Sequence, residues 1–198
     1  MGALDGQVVA MICRGSEGDR AIAVALAEAG ADIALGTVSA AQGEEFATAS
    51  IANEVWAIGR EQFNTVLDSA DPSAVAAFAA EVQDRLGRCD ALVIAPGLPP
   101  AVDYDELSRD EWDAMASGGL TAPLLAAQAF GRVLERSGGG RIVFVVESAP
   151  FGDVAAGVLS EGQRAMAAYI GMAWEGRPVR TMMVGRDGAP GQTLRVLS

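Results

Sequence analysis

The residues of this sequence that could do chemistry begin in a glycine-containing turn near the amino terminus. The stretch VVAMICRGSEGDRAIAVALAEAG joins an apolar run to a helical pattern through a turn that contains Gly15 and Gly18. A turn of this kind presents backbone N–H groups to an anion at the helix N-terminus, typically the phosphates of a nucleotide. Here the turn also carries Glu17 and Asp19, whose charges repel phosphate but suit the positive end of the helix dipole. The turn therefore predicts a stable helix start more strongly than a phosphate site.

The amino-acid composition removes many catalytic mechanisms. All 14 basic residues are arginine, and the sequence contains neither lysine nor histidine. Ser–His and Cys–His catalysis, lysine Schiff bases and histidine metal sites are thereby excluded. Cys13 and Cys89 follow no disulfide or metal-binding spacing, so no metal is expected.

Charge and hydropathy limit the partners and the location. The formal net charge of −12 disfavours binding to nucleic acid or to an anionic membrane. Mean hydropathy is +0.25, but no uncharged run reaches the ~18–20 residues of a membrane span. The opening residues lack the basic and apolar regions of a signal peptide. These features predict a single cytoplasmic domain over residues 1–198, without nucleic-acid or membrane partners.

Short apolar runs alternate with longer helical stretches along the whole chain. Runs that are apolar on both faces and are joined by helices predict a doubly wound α/β fold, with a parallel sheet covered by helices on both faces. Ligands of such folds bind at the carboxyl ends of the strands, where the strand order reverses. Seven strands are predicted, at residues 7–12, 32–36, 63–67, 90–95, 141–146, 179–184 and 192–197.

Several stretches of the sequence resemble the short-chain dehydrogenase/reductase family. They are LDGQVVAMICRGSEGDRAIAVALAEAGADIALG, DSADPSAV, CDALVIAPG, EWDAMASGGLTAPLL, GGGRIVFVVESA and GQTLRVLS. The branch that they resemble most is that of the bacterial 3-oxoacyl-acyl-carrier-protein reductases. The resemblance extends over essentially the whole chain and implies a Rossmann-like sheet, NAD or NADP as cofactor, hydride-transfer activity, and dimers or tetramers.

The cofactor positions that the resemblance implies are mostly altered. The three glycines of the family's first turn fall on Cys13, Glu17 and Asp19, whereas Gly15 and Gly18 lie at positions that the motif leaves free. Only Asp68, matching an aspartate that contacts adenine, and Gly97, in the family's NNAG segment, are kept. Thr37 and Val38 offer no residue that selects NAD or NADP. The expectation is that neither cofactor binds.

The catalytic positions that the resemblance implies are also replaced. The family's asparagine, serine, tyrosine and lysine fall on Gly119, Glu147, Ser160 and Arg164. A serine hydroxyl cannot replace the tyrosine as acid and base near neutral pH. Tyr104 and Tyr169 lie at the wrong places in the sequence to substitute. The chain is therefore expected to be a pseudoenzyme.

The segment before the carboxyl terminus is shorter than in the family. RDGAPG (186–191) joins the sixth predicted strand directly to GQTLRVLS, so the substrate-covering lid is expected to be absent and the last strand kept. The helices around 108–136 and 157–175 match the family's dimer interface, and the second is apolar nearly all round, as expected of a helix covered on both sides. These features predict a structural or regulatory subunit that pairs with itself or with an active paralogue of the family.

Three alternatives remain open from the residues. Glu147 and Arg164 could act as the base and the anion clamp of a cofactor-independent lyase or hydratase, or could form a mutual salt bridge in the vacated site. The chain could also be an NAD(P)-dependent oxidoreductase with divergent sites. Finally, Asp68 could support weak nucleotide binding without catalysis.

Overall fold

A computed structural model of the protein describes residues 2–198, and these residues alternate between strands and helices. In chain order the elements are β1 (Val8–Cys13), α1 (Glu17–Glu28), β2 (Asp32–Thr37), α2 (Gln42–Ile58), β3 (Gln62–Thr65), α3 (Pro72–Leu86), β4 (Ala91–Ala95), a 3-10 turn (Tyr104–Glu106), α4 (Arg109–Ala116), a π-helical turn (Ser117–Thr121), α5 (Ala122–Arg136), β5 (Gly140–Val146), α6 (Val154–Ala173), β6 (Val179–Gly185) and α7 (Ala189–Leu197).

The sheet confirms the predicted parallel, doubly wound architecture but has one strand fewer than expected. Its order is β3-β2-β1-β4-β5-β6, and every neighbouring pair is parallel. The seventh strand predicted at 192–197 is wrong, because these residues belong to α7. Ala189, Thr193 and Leu197 are buried at a spacing of four, so the segment buries one helical face. Its apolar residues join the core on the side of α1 instead of extending the sheet beyond β6.

Two hydrophobic cores lie on opposite faces of the sheet. One joins the sheet to α3, α5 and α6, and at its centre Phe78 makes edge-on contacts with Phe63 and Phe130. The other joins the sheet to α1, α2 and α7. All residues of β1 and β4 are buried, which explains why these strands read as continuous apolar runs.

Side-chain caps set the starts of α1, α3 and α4. Ser16 caps α1 and forms a reciprocal capping box with Asp19, and Ser108 and Glu111 do the same for α4. Asp71, followed by Pro72, starts α3. The capping box of α1 matters for the site, because it places Asp19 inside the turn between β1 and α1.

Candidate functional site

The candidate site is the crevice at the carboxyl ends of the strands, where the strand order reverses between β1 and β4. Gly15 is the pivot of the turn after β1: its φ of +80° is in the left-handed region, and a Cβ there would overlap Ala47 of α2. A glycine is therefore required at position 15 for both conformation and space.

The two acids of this turn point in different directions. Asp19 is fully buried, and its carboxylate accepts a hydrogen bond from the Ser16 N–H at 2.9 Å. The side chain of Glu17 is 88% exposed and approaches Arg20 at 3.4 Å, so the expectation that it lines the phosphate cradle is not met. Cys13, the last residue of β1, does not obstruct the cradle either, because it is buried in the core that joins the sheet to α1 and α2. Burial, and secondarily the charge of Asp19, raises the pKa of its thiol.

Arg186, directly after β6, lies across the N-terminus of α1. Its Nη1 pairs with Asp19 Oδ1 at 2.5 Å, its Nη2 donates to Ser16 Oγ at 2.7 Å, and its Nε pairs with Glu147 Oε1 at 2.7 Å. A Cβ added to Gly18 would lie 2.9 Å from the same Nε. Burial by itself lowers the pKa of Arg186, but the charges and hydrogen bonds of Asp19 and Glu147 outweigh it and raise the pKa. One cation thus ties together the ends of three segments: the β1–α1 turn, β5 and β6.

Arg14 crosses the other half of the crevice. Its Nε donates to the carbonyl oxygen of Pro96 at 2.7 Å, and its Nη1 pairs with Glu44 Oε1 at 2.5 Å. Glu44, at the start of α2, also accepts a hydrogen bond from the Ser39 N–H at 2.7 Å. Arg14 Nη2 lies only 2.6 Å from the place where a Cβ of Gly118 would be. The guanidinium therefore packs between α2, the end of β4 and the π-helical turn.

The residues that the sequence resemblance assigns to the family's catalytic positions contact other groups of the protein. Ser160 is only 2% exposed, and its hydroxyl donates to the carbonyl oxygen of Glu147 at 2.6 Å. The expected salt bridge between Glu147 and Arg164 is wrong, because Glu147 pairs with Arg186 whereas Arg164 approaches Glu161 at 3.5 Å. The physical reason is position: Arg186 emerges from β6, the direct neighbour of the strand that Glu147 follows. A cavity of about 240 Å³ lies beside this pair and is lined by Glu147, Ser148, Gly185, Arg186 and Asp187.

Gly119 lies in the π-helical turn and packs closely on α6, because a Cβ there would be 3.0 Å from a methyl group of Leu159. Gln163 of α6 is 1% exposed and donates from Nε2 to the Gly119 carbonyl oxygen at 3.1 Å. Its amide thus satisfies a carbonyl group that the irregular turn presents to α6. Both tyrosines, Tyr104 and Tyr169, are exposed at the surface.

On the adenosine side, the remaining matched residues also serve the protein itself. Asp68 is exposed, and its carboxylate accepts a hydrogen bond from the Ala70 N–H at 2.9 Å. The buried hydroxyl of Thr37 donates to the Leu67 carbonyl oxygen at 2.8 Å and ties the end of β2 to the segment after β3. Gly97 has a φ of +66° and lies near the Arg14 side chain.

Sequence reasoning missed the two residues that fill the crevice. Arg14 was assigned no role from the sequence, and Arg186 appeared only as part of a shortened connection. Gln163 and Glu44 had no recognised role. The one available signal was position: Arg186 follows β6, so the topology of a parallel sheet brings it to the same edge as Asp19 and Glu147.

The fold is a doubly wound, Rossmann-like α/β fold with a six-stranded parallel sheet. The family description "short chain dehydrogenase" matches residues 9–158, and the chain belongs to this family. D-threitol dehydrogenase of Mycolicibacterium smegmatis is 33% identical over 146 residues, which are 74% of this chain and 54% of that protein. The chain thus matches about half the length of this relative. Because the other curated relatives are likewise dehydrogenases and oxidoreductases of varied kinds, the finer assignment to acyl-carrier-protein reductases is not supported.

Solved structures of the family share the fold. A short-chain type dehydrogenase/reductase from Mycobacterium marinum superposes with a TM-score of 0.86 at 17% identity, over 98% of this chain and 89% of that one. A metagenomic short-chain oxidoreductase in complex with NADP superposes with a TM-score of 0.84 at 23% identity, over 98% and 91% of the two chains. At these identities the likeness concerns the fold alone.

Two arginine side chains occupy the part of the crevice where a dinucleotide lies in this fold type. The N-terminus of α1, where the phosphates of such a ligand bind in this fold type, is covered by the Arg186 guanidinium, and Arg14 fills the space beside β4. Within residues 2–198, no cluster of acidic or cysteine side chains has the geometry of a metal site. Over the same residues, no helix is both long and apolar enough to cross a membrane.

Proposed function

We propose that this chain is a non-catalytic member of the short-chain dehydrogenase/reductase family that acts as a structural or regulatory subunit. The observation that carries the proposal is the state of Ser160, at the position of the family's acid–base tyrosine. Its hydroxyl is buried and donates to a backbone carbonyl group, so it faces the protein rather than a substrate. Proton transfer requires a group that can reach the substrate and titrate near the working pH, and Ser160 meets neither condition.

The partner surface of this proposal is the outer face of α6. Val154, Val158, Tyr169 and Met172 are exposed along one side of this helix, and Leu124 of α5 is exposed as well. Residues spaced by three or four positions share a helix face, so Val154 with Val158 and Tyr169 with Met172 form two apolar patches on one stripe of α6, which the exposed Glu161 interrupts. An exposed apolar stripe of this kind favours association with a matching apolar face. The proposed partner is a second copy of this chain, or a paralogue of the same fold.

The subunit proposal is tested by light scattering on the intact chain. We expect a dimer, and we expect the Tyr169→Asp and Met172→Asp variants to be monomeric. Trp56→Asp is the matched control, because Trp56 of α2 is as exposed as Tyr169 but lies on the opposite side of the sheet. A monomeric wild-type protein that also brings no family member with it from its native host would refute the subunit role.

The non-catalytic part is tested separately by turnover. Purified protein is assayed with NAD⁺ and NADP⁺ and a panel of polyols and secondary alcohols, with the absorbance of the reduced cofactor as the signal. We expect no turnover above the protein-free rate. Turnover that is lost in a Ser160→Ala variant would overturn the proposal.

An NAD(P)-dependent oxidoreductase with a divergent site is the second candidate. Its support is the relatives, which are dehydrogenases and oxidoreductases, together with a fold shared with an NADP complex. It requires Arg14 and Arg186 to leave the crevice and another group to transfer the proton. D-threitol, named for the 33% identical relative, is the first substrate to test. The lyase or hydratase alternative loses its support, because Glu147 and Arg164 do not face each other as a pair.

A further inference from the structure

Arg186 is largely buried and makes more contacts than a surface arginine normally does. Its guanidinium uses Nη1, Nη2 and Nε on three different partners, Asp19, Ser16 and Glu147. Its side chain is only 16% exposed, and Asp19 is fully buried. A buried carboxylate that loses its partner cation is strongly destabilised, so the pair resists opening.

The charge arrangement is the reverse of an anion site. A helix N-terminus attracts anions, yet here it holds a cation, and this cation is balanced by two carboxylates. A dinucleotide diphosphate entering this place would have to displace Arg186 and then face Asp19 and Glu147 without it. Both the sterics and the charges therefore oppose the ligand.

Arg14 closes the adjoining half of the crevice by the same means. It is anchored to Glu44 and to the Pro96 carbonyl oxygen, and its terminal nitrogen packs against the π-helical turn at Gly118. Gly118 and Gly18 both lack the Cβ that would collide with an arginine. The backbone is thus shaped around the two arginine side chains.

We propose that Arg14 and Arg186, with their carboxylate anchors Glu44, Asp19 and Glu147, form an arginine clasp that closes the crevice to dinucleotides. The clasp replaces the ligand as the group that joins the strand ends to α1 and α2. Closure of the clasp and binding of a dinucleotide are mutually exclusive. This inference concerns binding alone and holds whether or not the chain catalyses a reaction.

The test compares the wild type with a variant in which the clasp is removed. The variant is Arg14→Ala/Asp19→Asn/Arg186→Ala, because asparagine keeps an acceptor for the Ser16 N–H while removing the charge. The control is Arg20→Ala/Glu54→Gln, which breaks an exposed ion pair of 2.6 Å between α1 and α2. NADH and NADPH are titrated by fluorescence, and circular dichroism and thermal melting check that each protein is folded.

We expect the variant without the clasp to bind NADH or NADPH at least about tenfold more tightly than both the wild type and the control, which corresponds to roughly 1.4 kcal/mol. Equal binding by the folded variant and the wild type would overturn the proposal. If the variant does not fold, hydrogen exchange of the wild type decides: protection of residues 14–20 by millimolar NADH overturns the clasp, and unchanged exchange supports it. Failure of the clasp leaves the turnover test untouched, so the two proposals can fail separately.

Discussion

Gly18→Ala is expected to destabilise the wild-type protein but to stabilise the Arg186→Ala variant. The comparison tests whether the Arg186 side chain packs against the first turn of α1. Alanine in place of helical glycine stabilises a helix by about 0.5–1 kcal/mol. In the wild type, however, the added Cβ would lie 2.9 Å from Arg186 Nε and 3.1 Å from its Cζ, which is closer than non-bonded carbon and nitrogen atoms approach. The guanidinium must move, and its pair with the fully buried Asp19 weakens.

The magnitude follows from the two opposing effects. Breaking one partner away from a buried ion pair costs about 3–5 kcal/mol, and a partial displacement costs a fraction of that. Gly18→Ala is therefore expected to destabilise the wild type by about 1–3 kcal/mol. In an Arg186→Ala background nothing obstructs the Cβ, and the same substitution should stabilise the protein by about 0.5–1 kcal/mol.

The assay is urea unfolding of the four proteins of the double-mutant cycle at fixed salt. Gly43→Ala is the matched control, because Gly43 is also the second residue of its helix and has open space around its Cβ position. It should be neutral or stabilising in both backgrounds. Equal effects of Gly18→Ala with and without Arg186 would refute the placement of Arg186 on this helix.

Three further predictions concern the core. Burial, followed by the charge of Asp90, raises the pKa of the Cys89 thiol to about 12, whereas in the unfolded chain the thiol ionises above about pH 8.5. The free energy of unfolding is therefore fully retained below about pH 8.5 and falls by about 1.4 kcal/mol per pH unit per buried thiol up to about pH 12. Cys89→Ala should reduce this slope in urea unfolding at pH 7–11. In thermal melts, Gly131→Ala should lower stability by about 1–3 kcal/mol, because its Cβ would overlap the ring of Trp174. Gly157→Ala has open space around its Cβ and should be neutral or stabilising in the same assay. Ser160→Ala removes the hydrogen bond to the Glu147 carbonyl group and should destabilise by about 1–3 kcal/mol in urea; an unchanged midpoint would contradict a structural role for this hydroxyl.

The elements that sequence reasoning predicted well are those with an unambiguous pattern. β1 and β4 are apolar at every position, which only a strand covered on both faces requires over so short a run. The helix start predicted in the turn after β1 is confirmed by the Ser16 cap of α1, whose chemistry is local in sequence. The strand prediction for residues 192–197 was wrong because a short run with partial alternation fits a strand or one face of a helix equally well. The apolar core beside α1 and the sheet, which takes up Ala189 and Leu197, decided for the helix.

The location of the candidate site could be predicted from the sequence, but the contacts within it could not. The carboxyl edge of the sheet follows from a parallel architecture, and the substituted positions Gly119, Glu147 and Ser160 could be read from the family resemblance. The partner of Glu147 could not, because Arg164 is 17 residues away in sequence, whereas Arg186 is 39 residues away but directly follows β6, the strand beside β5. Likewise, only the structure showed that Glu17 points outward while Asp19 is buried, because neighbouring residues of a first helical turn face in different directions.

The sequence alone determined the class of the fold and the exclusion of histidine and lysine chemistry. These depend on composition and on local periodicity, which need no knowledge of distant contacts. The tertiary structure decided which charges meet. Asp19 and Arg186 are far apart along the chain, and their 2.5 Å contact exists only because parallel strands bring their carboxyl ends to one edge of the sheet.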